Sequence, residues 1–543
     1  MCLLWPLTIK LNVYGIHDDF LFIKLANSLL EGNWLGEYNF LTLVKGPVYS
    51  FFIAINSFTN IPIKVSEYLF YVLACTVFYI SYKLIAKRKI FPEVLFFILI
   101  LSPYVEIINR LVRGSIYAAT VIFVLAFFNF IYFAKNRNRI LLSVTSVFTG
   151  VFIFIFWYTR EEGIWLLPYF IIVSSFIIIS IFCQYKITKE SLIRSLLCVL
   201  FIPTFFLADT CYALKNKAEY GTAITLDIKT KEYVSAFEAL YRVHNYSEKK
   251  IPFYQLNRAT RAEMYKVSES LKSVSKNLEI NAKNFSPCRK NPKTCDVHHG
   301  WFPWIFRASL KQLELYSTPE IANKFYGKVA QEINSACRDS LLRCHPIRNA
   351  NLATFRTNAD TLRFYQSLRE GMSFLNNGIS GYNLTNLSAG RPKDIEFCAN
   401  ILNMQTQDFF TTENESFLKK QKEVSANIKI LENVYFFYNN YLVKLFFWGS
   451  LMCLLILFFF GIKKLKLGYL SVSAFALLSI VFGRIIILSI IKATAYNGFQ
   501  IRYVVCIFPL LMISFFFLLN DVFYFLTLKR KITNYNKKEK KIV

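Results

Sequence analysis

Two adjacent carboxylates, Asp18 and Asp19, stand in His17-Asp18-Asp19-Phe20, just after a short apolar N-terminus. Side by side, two ionised carboxylates repel, so they face cations, share a proton or point apart into water. One chemistry open to such a pair is general-base catalysis, one carboxylate taking a proton from an acceptor hydroxyl or amine while its neighbour orients it. The plainer use is helix capping, because Asp at the start of a helix over Phe20–Leu30 satisfies free backbone N–H groups.

Three further clusters carry charge where it could act. Arg160-Glu161-Glu162-Gly163 falls in a very short turn between two apolar blocks. There Arg160 could hold a phosphate while Glu161 or Glu162 orders it or a substrate hydroxyl, or the three charges simply mark the membrane interface. Glu106, Arg110 and Arg113 follow Ser102-Pro103 and form either part of a site or a plain charged loop. Arg484 stands well inside the apolar block Tyr469–Ile491, where an unpaired charge is costly and usually marks a pathway or site. With Lys492 and Arg502 it offers a cationic track suited to a lipid phosphate; neutralisation within the bundle is the alternative. In the polar region, His298-His299-Gly300-Trp301-Phe302 suggests metal binding or sugar stacking. Adjacent histidines, however, point in different directions on most backbones and do not share a metal, and tryptophans such as Trp301 and Trp304 are more often core than sugar platform.

Positioning these groups is the task of a membrane scaffold. The 543 residues are 55% hydrophobic and 17% aromatic with a mean hydropathy of +0.36, and the apolar residues come in long blocks. That is the pattern of an all-α polytopic membrane protein. A net charge of +28 would suggest nucleic acid in a soluble chain. Here the basic residues sit in short loops and in the tail Lys529–Lys541, where they set orientation, and nucleic acid is not expected as a partner.

A span needs about 20 residues, so residues 1–14 are short for one. Leu21–Leu30 and Pro47–Phe58 read as helices lying in the interface. The first full span is Val65–Ala86, ending in Lys87-Arg88-Lys89, which places the acidic pair on the outer side. Phe91–Tyr104, Ile116–Phe133, Leu141–Trp157, Trp165–Phe182 and Leu196–Tyr212 then alternate. After a polar region come Tyr441–Ile462, Tyr469–Ile491 and Tyr503–Leu526. With an N-terminal one this makes about ten spans, every inner turn being rich in Lys and Arg. The domain scheme is a transmembrane module over 1–212 with its first outer loop at 15–60. A mainly helical extracytoplasmic domain over 213–439 is inserted before late helices at 440–528, and 529–543 is a basic tail.

Of 12 cysteines, Cys288 and Cys295, and again Cys337 and Cys344, share a CxxxxxxC spacing that two disulfides could close locally. This favours an oxidising compartment. Zinc is the rival, although no compact CxxC pair supports it.

Taken in order, His17-Asp18-Asp19-Phe20-Leu21-Phe22, Leu25-Ala26, Leu29-Leu30, Gly32 and Lys45-Gly46-Pro47 resemble the first outer loop of the GT-C glycosyltransferases. These are polyprenyl-phosphate-sugar enzymes that include protein O-mannosyltransferases and the aminoarabinose transferase of lipid A. Ser102-Pro103, Arg113 and Tyr117 resemble the second outer loop, without its acidic residue beside the arginine, for which Glu106 would stand in. Arg502-Tyr503 with Pro509 resembles the start of a late helix in many members. The resemblance covers roughly 10–212 and 441–527.

It implies Asp18 as catalytic base with Asp19 beside it. Donor phosphate would lie on Arg484, Arg502, Arg160 and Lys492, and substrate would also touch Glu161, Glu162, Glu106, Arg113 and Lys45. It implies a polyprenyl-phosphate sugar donor, a glycan, glycolipid or protein acceptor, and a place in the cytoplasmic membrane; some members bind a divalent metal near the acidic pair. A transporter or flippase of lipid-linked sugars would share the intramembrane arginine without needing the paired carboxylates. A non-catalytic assembly partner could dispense with Asp18 altogether.

Overall fold

In the computed structural model every regular element is a helix, and β-bridges occur only singly among the described residues. Those residues are 9–105, 110–244, 246, 256–285, 297, 299–346, 358–379, 387–406, 409, 411, 415, 418, 429–430, 432–461, 468–494 and 498–539. An extended stretch comes first, in which Ile9, Leu11 and Val13 are buried in alternation. It bridges to Arg110 and Ala389. Two short helices follow, α1 (Asp19–Leu30) and α2 (Val48–Ser57). They pack through Phe22 and Tyr49, whose ring centroids are 5.2 Å apart.

The membrane helices are α3 (Ile63–Ile85), α4 (Ile90–Ile100), α5 (Gly114–Ala134), α6 (Arg139–Thr159), α7 (Leu167–Tyr185), α8 (Lys189–Cys198) and α9 (Phe201–Tyr220). Eight helices among the described residues are long and apolar enough to cross a membrane, against about ten expected. The difference lies in two places. The N-terminal stretch from residue 9 is extended, and residues 1–8 are outside the described set. The expected span Phe91–Tyr104 is the shorter helix α4, about 17 Å long at 1.5 Å per residue. Pro103 follows it, and the residue before a proline is biased away from helical backbone. α4 runs antiparallel to α3, with Glu93 on Lys83 at 2.9 Å and the Leu99 carbonyl accepting from the Tyr71 hydroxyl at 3.1 Å.

The polar region supplies α10 (Lys231–Arg242), α11 (Arg258–Val267), α12 (Glu269–Phe285), α13 (Phe302–Lys311) and α14 (Pro319–Arg338). These five share one apolar core around Phe237, Leu240, Val274, Phe306, Tyr326 and Val329. Their starts are capped in the expected chemistry: Thr230, Asn257 and Thr318 each accept from the backbone N–H three residues on. A disulfide joins Cys337 in the last turn of α14 to Cys344 beyond it. Cys288 and Cys295 lie outside the described residues.

The rest of that region folds elsewhere. α15 (Asn358–Asn377) lies on the membrane helices, and α16 (Pro392–Ile401) packs Ile395 and Ala399 into the cluster of Phe22, Ile23 and Tyr49. The late membrane helices are α17 (Val443–Gly461), α18 (Tyr469–Thr494), the short α19 (Ile501–Val504) and α20 (Ile507–Glu539). Gly371 of α15 approaches Ile485 and Phe499 so closely that a Cβ there would meet both at 2.6 Å. The bundle centre is α5 and α20, whose apolar windows are 78% and 89% buried, while the other spans keep an open apolar face for lipid.

Candidate active site

The extended N-terminus turns at Gly15 and delivers Asp18 to the start of α1. Asp18 takes the N-cap position, yet its side chain makes no capping bond. Its carboxylate instead accepts from the Lys45 ammonium, lies 3.3 Å from Arg502 Nη1 and 3.8 Å from Arg110 Nη2. The side chain keeps 28% exposure. Asp19 is wholly buried. It takes a forked pair of bonds from Arg110, at 2.8 Å from Nε and 2.8 Å from Nη2, and a third from the Asn12 amide at 3.0 Å. The neighbours therefore differ, Asp18 being partly exposed and Asp19 tying the N-terminal stretch to Arg110.

Lys45-Gly46-Pro47 supplies the facing wall. Lys45 is buried, and its ammonium donates to Asp18 and to the His17 carbonyl. Gly46 donates its N–H to Glu161 Oε1 at 3.1 Å. A Cβ on Gly46 would stand 1.9 Å from the Tyr158 carbonyl oxygen, so this close approach admits only glycine. Pro47 then occupies the N-cap of α2.

The turn after α6 is locked from both sides. Glu161 pairs with Arg113 at the start of α5. Glu162 bridges Arg160 and Arg484, each at 2.7 Å. Arg160 donates to the Arg502 carbonyl at 3.2 Å and Arg484 to the Tyr503 carbonyl at 3.4 Å, which joins this turn to the first residues of the last span. Arg484 is 1% exposed, and its Nε and Nη1 find no hydrogen-bond acceptor among the described residues. These ion pairs join six cations (Lys45, Arg110, Arg113, Arg160, Arg484, Arg502) to four carboxylates (Asp18, Asp19, Glu161, Glu162), an excess of two positive charges.

These surroundings set the protonation states. Burial disfavours the Asp18 charge, but Lys45, Arg502 and Arg110 outweigh it and hold the carboxyl well below its ordinary range. Burial pushes the Asp19 carboxyl up, opposed by Arg110 and the Asn12 amide. Burial also lowers the Lys45 ammonium to about 8, with Asp18 acting to keep its proton. His17 is lowered to about 4 by burial and by Lys45, so it is neutral at neutral pH. Burial works against the Glu162 charge, and Arg160 and Arg484 more than reverse this, taking it down to about 2.

A contribution that sequence reading missed comes from the five-helix unit. Arg307 is fully buried and forks onto the Phe40 carbonyl at 2.8 and 2.5 Å while pairing with Asp227 at 2.9 Å. Asp227 accepts from the Tyr38 hydroxyl at 3.1 Å and donates its own N–H to the Leu43 carbonyl at 2.9 Å. One turn before Arg307, Trp304 packs on His17 with centroids 4.5 Å apart. The available signal was a lone arginine in the apolar run Phe302-Pro303-Trp304-Ile305-Phe306-Arg307.

Of the residues singled out from sequence, Asp18, Asp19, Lys45, Arg113, Arg160, Glu161, Glu162, Arg484 and Arg502 come together here. Lys492 does not join them; it pairs with Glu370 of α15. Glu106, expected as the acidic residue beside Arg113, lies outside the described residues; Glu161 is the carboxylate that pairs with Arg113, and Arg110 pairs with Asp19. For a divalent metal the donor set is a poor fit. Asp18 already faces three cations, and among the described residues no group of three His, Cys, Asp or Glu side chains gathers. Compared with protein-family models, curated proteins and solved structures, the chain gives no match in any of the three.

Proposed function

We propose that the chain is an inverting membrane glycosyltransferase that moves a sugar from a polyprenyl-phosphate donor to a glycan, glycolipid or protein acceptor. In this reading it works on the outer face of the cytoplasmic membrane, with the five-helix unit extracytoplasmic. The observation that carries the reading is the division between the two acids. Asp19 is spent on structure, whereas Asp18 is ionised, partly open, and set among more cations than the site's own carboxylates neutralise.

In the reaction so assigned, the acceptor hydroxyl or amine approaches Asp18. As its heteroatom forms a bond to the anomeric carbon, its proton passes to the Asp18 carboxylate. The bond from that carbon to the phosphate oxygen breaks with its electron pair, and the polyprenyl phosphate leaves. A weakly basic carboxylate suffices, because the attacking group becomes acidic only as the new bond forms. The developing phosphate charge is met by Arg502 and by the Arg484–Arg160 pair, which shares one carboxylate, and the Arg484 N–H groups without an acceptor among the described residues suit a phosphate oxygen. No divalent metal is assigned to the step.

The test is glycan mass spectrometry of envelope material from cells lacking the gene, complemented with wild type or Asp18→Asn. Loss of one sugar mass restored by wild type alone supports transfer. Equal rescue by both removes Asp18 from catalysis and favours a flippase or an assembly partner.

A further inference from the structure

We propose that Arg307 is a positioning residue for Lys45: by gripping the Phe40 carbonyl it holds the 38–45 loop so that the Lys45 ammonium stays on Asp18. Three ties converge on this loop from the polar region. Tyr38 donates to Asp227, the Phe40 carbonyl accepts from Nε and Nη2 of Arg307, and the Leu43 carbonyl accepts the Asp227 N–H. Two residues beyond Leu43 is Lys45 itself.

The tie is built for rigidity. A fork of two charge-assisted bonds to one carbonyl fixes direction as well as distance. Arg307 has no freedom of its own, being enclosed by Asp227 and by the rings of Tyr316 and Tyr233, 4.7 and 5.8 Å from its guanidinium carbon. The same helix reaches the other flank of the acid through Trp304 on His17, and the Lys45 ammonium lies 5.7 Å from the Trp304 ring. α13 therefore touches the chain at His17, next to Asp18, and at Phe40, five residues before Lys45.

The groups facing Lys45 include Asp18 and the His17 carbonyl and imidazole from the N-terminal turn, the Phe22 ring of α1 at 5.2 Å, Glu161 and Arg113 beside the two neighbouring spans, and Trp304 from α13. A loop released at Phe40 carries Lys45 away from all of them into water. What the Lys45 charge does rests on the transfer reading; where the charge sits does not.

Acetic anhydride labelling of the full detergent-solubilised chain, read by mass spectrometry on the peptide containing Lys45, tests this without an activity assay. Arg307→Met and the milder Arg307→Lys, which keeps the cation but shortens its reach to Phe40, are compared with wild type. Arg261→Lys is the matched control, because Arg261 forks onto Glu279 in the same five-helix unit and lies away from the loop. Lys45 labelling that rises several-fold in both Arg307 variants and stays at the wild-type level in Arg261→Lys is the expected result. If Arg307→Met does not fold, Arg307→Lys decides. Unchanged labelling in Arg307→Lys overturns the proposal, and so does an equal rise in Arg261→Lys, which would mean general loosening. Absence of sugar transfer by the wild-type chain would sink the transferase reading and leave this result standing.

Discussion

The carboxylate of Asp18 and the guanidinium of Arg502 lie 3.3 Å apart although 484 residues separate them in the chain. This contact joins the beginning of the first helix to the beginning of the last span. Arg160 and Arg484 hold the backbone carbonyls of Arg502 and Tyr503, so the same few residues orient the base side and the phosphate side of the proposed site.

The two neighbouring acids should respond differently to loss of charge. Asp18→Asn is expected to abolish transfer. It also takes the anion from buried Lys45 and so lowers the unfolding temperature in detergent, but by less than Asp19→Asn does, since the Asp18 side chain is 28% exposed and the Asp19 side chain wholly buried. Asp19→Asn removes the anion from a buried fork and from the Asn12 amide. A broken buried pair costs about 3–5 kcal/mol; with Arg110 about a third exposed, about 2 kcal/mol is expected. Unfolding temperatures and single-turnover rates of both variants check this. An Asp19 variant that is fully stable yet inactive would exchange the two roles.

Gly46→Ala places a Cβ on the Tyr158 carbonyl. The loop must move by more than 1 Å, taking Lys45 and the bond from Gly46 to Glu161 with it. Misplacement on that scale costs about 100-fold in rate. Turnover of Gly46→Ala beside a control at Gly327, where a Cβ would meet only the Glu232 Cγ at an ordinary 3.8 Å, measures it; near-normal turnover would show that the wall is not part of the working site.

How far this arrangement could be read from sequence depends on how local its causes are. Eight apolar blocks appear as eight helices because length and hydropathy act within each segment. α4 was overcounted as a full span because its apolar run continues past Pro103, while backbone geometry ends the helix. Asp18, Arg113, Glu161, Glu162 and Arg484 stood out because charge is rare in their surroundings. Their partners did not, since pairing Arg484 with Glu162 or Arg110 with Asp19 depends on which helices touch. Lys492 looked like part of the same cationic track until α15 brought Glu370 to it. Arg307 was hidden for a similar reason, its acceptor being a backbone carbonyl, which leaves no mark on composition.

The Lys45 ammonium, lowered to about 8, should give transfer an alkaline limb. Below pH 8 Lys45 is charged and holds Asp18; above it the charge is lost and the rate falls. Stability moves the other way. Between about 8 and the ordinary lysine range the unfolded chain binds more protons than the folded one, so this group makes the fold more stable as pH rises. Asp18, held below its ordinary range, contributes stability above that range and loses it only as pH falls through still lower values. Rate and unfolding temperature measured from pH 6 to 10 on wild type and Lys45→Arg separate these effects. The limb near 8 should move upward in the arginine variant, and a limb unmoved by that substitution belongs to another group.

Glu162 tests whether the Arg160–Glu162–Arg484 cluster is held together by charge. Glu162→Gln leaves two enclosed guanidinium groups without their shared anion, at a cost of about 3 kcal/mol or more, because an uncompensated buried charge is worse than no pair at all. Adding Arg484→Leu removes one of the stranded charges from within an apolar span and should restore part of that loss. The double variant is therefore expected to unfold at a higher temperature than Glu162→Gln alone while remaining inactive, since it lacks the cation assigned to the leaving phosphate. Thermal unfolding of the four proteins of this cycle gives the coupling directly. Simple additivity would mean that Glu162 and Arg484 act independently, and the link between the turn after α6 and the start of the last span would then rest on the carbonyl contacts of Arg502 and Tyr503 alone.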